Sequence, residues 1–316
     1  MPKIHAPRHG SLQFYPRVRA KKILPGVSWK ALSKEEIGLK GFIGYKVGMK
    51  SAYVKDNSAN SLTKGKKIII PITIIECPTI KILSVRFYKD NKVIGEVLNS
   101  NIDKEMKKKI KIPNESKKKI EDFKEDYDNI KVIVYSQVKK TGIKKTPDIS
   151  EIGLSGTKDE KFNFIKENLT KEISIKDVFK DGVVDVRGVT KGKGTQGPTK
   201  RFGLKLKFHK SEKGRRGPGS GGATHPARVL FTEPKMGQMG YFTRANYSNK
   251  IVDISSIKEK DINPKQGFKK FGNIKTDYMI LFGSILGPSK RQLLITSSLR
   301  PSKKQTKKTY ELIELR

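Results

Sequence analysis

Apolar-rich segments over residues 41–54, 67–76, 80–88 and 93–98 have the length and composition of strands. Lys89-Asp90-Asn91-Lys92 separates the last two as a hairpin turn. Several short strands in succession favour a barrel or sandwich over a helical bundle. Residues 101–180 change character. Lys, Glu and Asp there follow helical spacing over 101–111, 114–127 and 157–169, with Asn114 and Thr157 as N-caps, and residues 130–138 form a strand between them. The β pattern resumes at 183–186, vanishes over 187–235, and returns at 250–254, 278–286 and 292–297.

Charge sharpens this division. The 316 residues include 68 Lys and Arg against 31 Asp and Glu, a formal charge of +37 and a pI near 10.1. Like charges at that density repel one another, so a polyanion is the expected partner. The charges are unevenly placed. Residues 1–34 hold eight Lys or Arg, four prolines and no acid, whereas 15 of the 31 acids fall within 101–180. The aperiodic stretch 187–235 carries 13 Lys or Arg and only Glu212 and Glu233 as acids. Basic, coreless segments of this kind order along phosphates rather than around a core of their own.

Other classes find less support. The longest apolar run, residues 68–75, is interrupted by Pro71 and Thr73 and falls far short of the roughly 18 residues of a spanning helix. The first residues lack the apolar region of a secretory signal, so an intracellular protein without a membrane partner is expected. The one cysteine, Cys77, leaves disulfides and cysteine-based zinc sites without a second ligand. The histidines, His5, His9, His209 and His225, show no metal-binding spacing, so no metal is expected.

The segment GVTKGKGTQGPTKRFG (188–203) is the most informative. Gly192, Gly194 and Gly197 let backbone N–H groups approach phosphate oxygens, while Lys191, Lys193, Lys200 and Arg201 supply charge. The same glycines fit the dinucleotide G-x-G-x-x-G spacing, but Pro198 and the residues after it are not expected to open the required helix. A phosphate-binding Walker loop fails on spacing and on Gly194 in place of Ser or Thr. No cofactor, small-molecule substrate or catalytic residue is expected. A nucleic-acid enzyme and a DNA-binding protein remain as rival readings of the charge.

This segment, together with APRHGSL (6–12), GFIGYKVGM (41–49), HPARV (225–229), MGQMG (236–240) and DYMILFGSILGPSKR (277–291), resembles the large-subunit ribosomal protein L-three family in its archaeal form. The matches occur in family order across nearly the whole chain. The resemblance implies a mainly β protein: a closed six-stranded translation-protein-type β-barrel with an α+β insertion, a long basic internal loop and a basic N-terminal arm. On that template residues 1–40 are the N-terminal extension, 41–100 and 181–299 the barrel, 101–180 the insertion, 187–245 the rRNA-penetrating loop and 300–316 a tail.

It further implies a structural constituent of the cytoplasmic large subunit, not an enzyme. Its partners would be 23S rRNA and neighbouring large-subunit proteins, with roles in early assembly and around the peptidyl transferase and factor-binding centres. The expected rRNA contacts are Arg8, His9, Arg17, Arg19, Lys191, Lys193, Lys200, Arg201, Lys207, Lys210, Arg215, Arg216, His225, Arg228, Arg244, Lys290 and Arg291. Counting back from HPARV places Thr224 where archaeal and eukaryotic relatives carry a loop-tip Trp, and Thr cannot stack on a base. The chain's single tryptophan, Trp29, lies in the N-terminal arm.

Overall fold

A computed structural model describes residues 9–34, 36–113, 120–123, 127–219 and 227–316. Arg8, Asn114, Thr224 and His225 therefore lie outside the described residues. In chain order the strands are β1 (Gly38–Leu39), β2 (Gly41–Asp56), β3 (Lys67–Cys77), β4 (Ile80–Lys89), β5 (Lys92–Leu98), β6 (Asn129–Ser136), β7 (Ile149–Ser155), β8 (Val183–Val189), β9 (Thr195–Gln196), β10 (Gly237–Gln238), β11 (Thr243–Ser256), β12 (Asp277–Phe282), β13 (Gln292–Ser297) and β14 (Tyr310–Leu315). The helices are α1 (Lys158–Asn168), α2 (Ile175–Val178), α3 (Pro198–Phe202) and α4 (Lys303–Thr306). The protein is mainly β, as its strand-like segments predict.

The chain divides into two compact units, one of residues 1–22 and 189–243, the other of 23–188 and 244–316. The larger unit holds two sheets. One has the strand order β1-β7-β6-β4-β5. Its β4–β5 hairpin turns through Asp90 and Asn91, both at positive φ (48° and 64°), the two-residue turn whose twist suits paired strands. The other sheet has the order β13-β8-β11-β12-β3-β2-β14, and β13 pairs with β2 as well, so the pairings return on themselves through six strands. A bulge between Lys46 and Gly48 bends the 16-residue β2. Its first part pairs with β13 and its second with β14.

All three clusters of buried apolar side chains found among the described residues belong to this larger unit. Trp29 links its sheets. A Cβ on Gly41 of β2 would lie 2.8 Å from the indole, and one on Gly153 of β7 would lie 2.6 Å from the Trp29 Cβ, so glycine is required at both positions. Tyr45 of β2 makes a second link. Its hydroxyl lies 2.7 Å from Ser136 Oγ and donates to Asp148 Oδ2 at 2.6 Å. Burial and the adjacent Asp148 carboxylate push the Tyr45 pKa well above its ordinary value.

Local structure departs from the sequence reading in several places. Thr157 does cap α1: its side chain accepts from the Glu160 N–H while Glu160 accepts from the Thr157 N–H. Residues 101–111, expected as a helix, form only a 3-10 turn at Lys104–Lys108, and Ile120–Phe123 is another. Charged residues at helical spacing bury too little apolar surface there to extend a helix; Met106 is the one buried side chain of the first turn. Trp29 sits in the core at 4% exposure rather than in a free arm. The strand expected over 278–286 ends at Phe282, where Gly283 takes a φ of 85°. Beyond Leu299, α4 and β14 form, and β14 pairs with β2.

Candidate nucleic-acid interface

The smaller unit contains just two buried apolar residues among those described, Val189 and Phe202. Backbone hydrogen bonds hold it instead. Past the ends of β8 and β11 the two chain segments continue as a ribbon: Thr190 N–H donates to Phe242 O at 3.0 Å, Lys193 N–H to Met239 O at 2.9 Å and Met239 N–H to Gly194 O at 2.9 Å. β9 and β10 close it, with Gln196 opposite Gly237. Two glycines of this ribbon have a local cause. Gly194 turns at φ 64°, and a Cβ on Gly240 would lie 2.1 Å from Lys191 O.

Pro198–Phe202 is helical after all. Gly197 is its N-cap, Pro198 occupies the first turn where its missing N–H costs nothing, and Gly203 ends it at φ 68°. The dinucleotide spacing is still not met in space. β9 lies between Gly194 and Gly197, and the helix has five residues.

Two of the expected contact residues face inward. Arg201 donates from Nε to Gln238 O at 2.9 Å and from Nη1 to Lys235 O at 3.1 Å, so it braces α3 against the returning strand. The Arg17 guanidinium lies 4.4 Å from the Phe202 ring centroid and 5.3 Å from that of Tyr15. Ala20 N–H donates to Tyr241 O at 2.9 Å, so the N-terminal segment runs beside the ribbon. Burial, with Arg17 close by, lowers the Arg201 pKa. Sequence reasoning saw these arginines as charges and missed the aromatic partners. The signal was an aromatic residue beside or near each cation, in Tyr15-Pro16-Arg17 and Arg201-Phe202.

The other cations of this unit point outward. His9, Arg19, Lys191, Lys193, Lys200, Lys210, Arg215, Arg216 and Arg228 are exposed, and Lys207 is half-buried. Lys207 N–H donates to Arg215 O at 3.0 Å, and Thr199 Oγ1 donates to Arg216 O at 3.3 Å, which folds the basic stretch back on itself. Of the backbone glycines, Gly192, Gly194 and Gly197 are exposed. An open cleft of 600 Å³ is lined by Arg17, Arg19, Lys21, Gln238 and Tyr241, among others. Its rim carries three cations and no carboxylate.

Arg244, Lys290 and Arg291 belong to the larger unit, where Lys290 is exposed and the two arginines are half-buried. The loop carrying Lys290 and Arg291 is fastened by Lys46. The buried Lys46 ammonium donates to Ile285 O at 2.5 Å and Gly287 O at 3.0 Å, and burial lowers its pKa. Among the described residues no group of three or more His, Cys, Asp or Glu is arranged to hold a metal ion.

The ribosomal protein L3 family model matches residues 1–316. The chain belongs to that family. Among its relatives, the large ribosomal subunit protein uL3 of Methanobrevibacter smithii is 40% identical over 320 residues, covering 96% of this chain and 95% of the relative. That of Methanocaldococcus jannaschii is 40% identical over 313 residues, 94% and 92% of the two chains. That of Archaeoglobus fulgidus is 37% identical over 316 residues, 95% and 94%. Membership in the ribosomal protein L3 family agrees with the resemblance carried by the motifs at 188–203 and 277–291.

Proposed function

We propose that the protein is a structural constituent of the large ribosomal subunit that binds 23S rRNA through its smaller, cation-displaying unit. The observation that carries the reading is the division of labour in the chain. One unit holds the buried apolar clusters, while the other is held by backbone hydrogen bonds and exposes Lys and Arg. Such a surface suits recognition of RNA shape, phosphates and 2′-hydroxyls rather than a substrate pocket. The six strands whose pairings return on themselves act as the closed barrel of the larger unit. The contact set is that of the sequence reading, with Arg17 and Arg201 as positioning residues for the others.

In this reading the protein works within the cytoplasmic large subunit, beside other large-subunit proteins, without a cofactor or small-molecule substrate. It joins the subunit early in assembly and supports the region of the peptidyl transferase and factor-binding centres. Competition between large-subunit rRNA fragments and duplex DNA tests it. The rRNA fragments are expected to displace DNA, with log K falling by roughly 0.7 to 0.9 per neutralised phosphate for each decade of salt. Equal affinity for both, or sedimentation of the native protein apart from large-subunit particles, would refute it.

A further inference from the structure

The larger unit carries a groove of 630 Å³ that this contact set does not use. It runs between the bulged stretch of β2 at residues 47–50 and the loop 264–270. Lys50, Lys265, Lys269 and Lys270 line it, all four are exposed, and no carboxylate does. Among the described residues none of the four is paired with a carboxylate, whereas Lys81, Lys131, Lys144 and Lys260 each have one. Met49, 48% exposed, supplies an apolar patch between them.

The loop that presents three of these lysines is braced. Gly267 N–H donates to Pro264 O at 2.7 Å, and Phe268 N–H donates to Gly272 O at 2.9 Å. The Phe268 side chain is buried, and Asn263 both donates to Ile274 O at 3.0 Å and accepts from Ile274 N–H at 2.8 Å. Four ammonium groups gathered around one groove repel one another, and a ligand with closely spaced negative charges relieves that repulsion. A phosphate backbone has that spacing and gains from counterion release at each contact.

We propose that this groove holds a phosphate-bearing stretch of RNA backbone, a contact made by the larger unit on its own. The inference rests on the reading of the protein as an rRNA binder, and the experiment separates the two. Full-length protein is titrated with large-subunit rRNA fragments across a range of salt. Lys50→Gln, Lys265→Gln and Lys269→Gln are combined, leaving Lys270 alone because its φ is 65°. The slope of log K against log salt should become shallower by about 2, and affinity should fall on the order of 10- to 100-fold at ~0.1 M salt.

Gly48→Glu is the second variant, since a Cβ there meets nothing within 4 Å and the new carboxylate enters the groove without disturbing the core. It should weaken binding in the same way, with the thermal unfolding midpoint unchanged. A third variant, Lys191→Gln with Lys193→Gln and Lys200→Gln, reports on the smaller unit. If it weakens binding while both groove variants bind as the wild type does, the groove proposal is overturned and the rRNA reading stands. If no variant alters affinity or salt slope, the rRNA reading fails too. A photo-crosslinker in place of Gln266, in assembled large subunits, should capture rRNA. Capture of a protein segment instead would overturn the assignment to RNA.

Discussion

Glu76 is a buried carboxylate near the end of β3, an unusual place for a charge. Its Oε1 accepts from Lys275 N–H at 2.8 Å and from the N–H and hydroxyl of Thr276 at 3.2 and 3.1 Å. Oε2 is buried with no hydrogen-bond partner among the described residues. Burial raises its pKa, and these donors offset only part of that. A carboxyl whose folded pKa exceeds the unfolded one holds its proton more tightly when folded, so stability falls as pH rises from the ordinary carboxyl range through the folded value. Glu76→Gln keeps an acceptor oxygen without the charge. Chemical denaturation of both proteins at several pH values should show the variant gaining on the wild type across that window, and parallel pH profiles would contradict the assignment. Strand alternation could not reveal this residue. Periodicity reports which face a side chain occupies, but the three donors come from a segment some 200 positions away in the chain.

At the scale of elements, the ribbon that roots the basic loop depends on Gly240. Its φ of 71° and the 2.1 Å approach of Lys191 O to a hypothetical Cβ leave no room for a side chain. Gly240→Ala should therefore open the ribbon locally by about 1–3 kcal/mol. Hydrogen exchange at the Lys193 and Met239 amides, which pair across it, would read that loss, and unchanged protection would count against it. The glycines of 188–203 were legible as a special loop, but their reason was not. They were read as room for phosphate, and two-strand geometry accounts for at least Gly194. Elements rich in apolar and β-branched residues, such as β2, β3 and β4, were visible beforehand. β7 and β14 were not: Ile149–Ser155 mixes polar residues into a strand buried by its neighbours, and Tyr310–Leu315 follows a basic run that reads as tail. In both, tertiary pairing overrides weak local preference.

For the molecule as a whole, the separation of apolar burial from exposed charge makes a modular prediction. Gln196 and Gly237 face each other at the end of the β9–β10 ribbon, so the chain between them can be replaced by a two-residue Asn-Gly turn of the kind that joins paired strands. The excised residues, 197–236, include ten Lys and Arg and two acids. The described ones among them contribute to none of the three buried apolar clusters, which lie within 23–188 and 244–316, and Phe202 is their one buried apolar side chain. The shortened protein should thus unfold cooperatively within a few degrees of the parent, since no residue of those clusters is removed. Its affinity for large-subunit rRNA should drop steeply. If about half of the ten cations meet phosphates, the slope of log K against log salt becomes shallower by about 4. A large fall in the unfolding midpoint would mean that the loop contributes to the core after all. An unchanged salt slope would mean that its cations meet no phosphate, and that the charge of this chain is spent elsewhere on its surface.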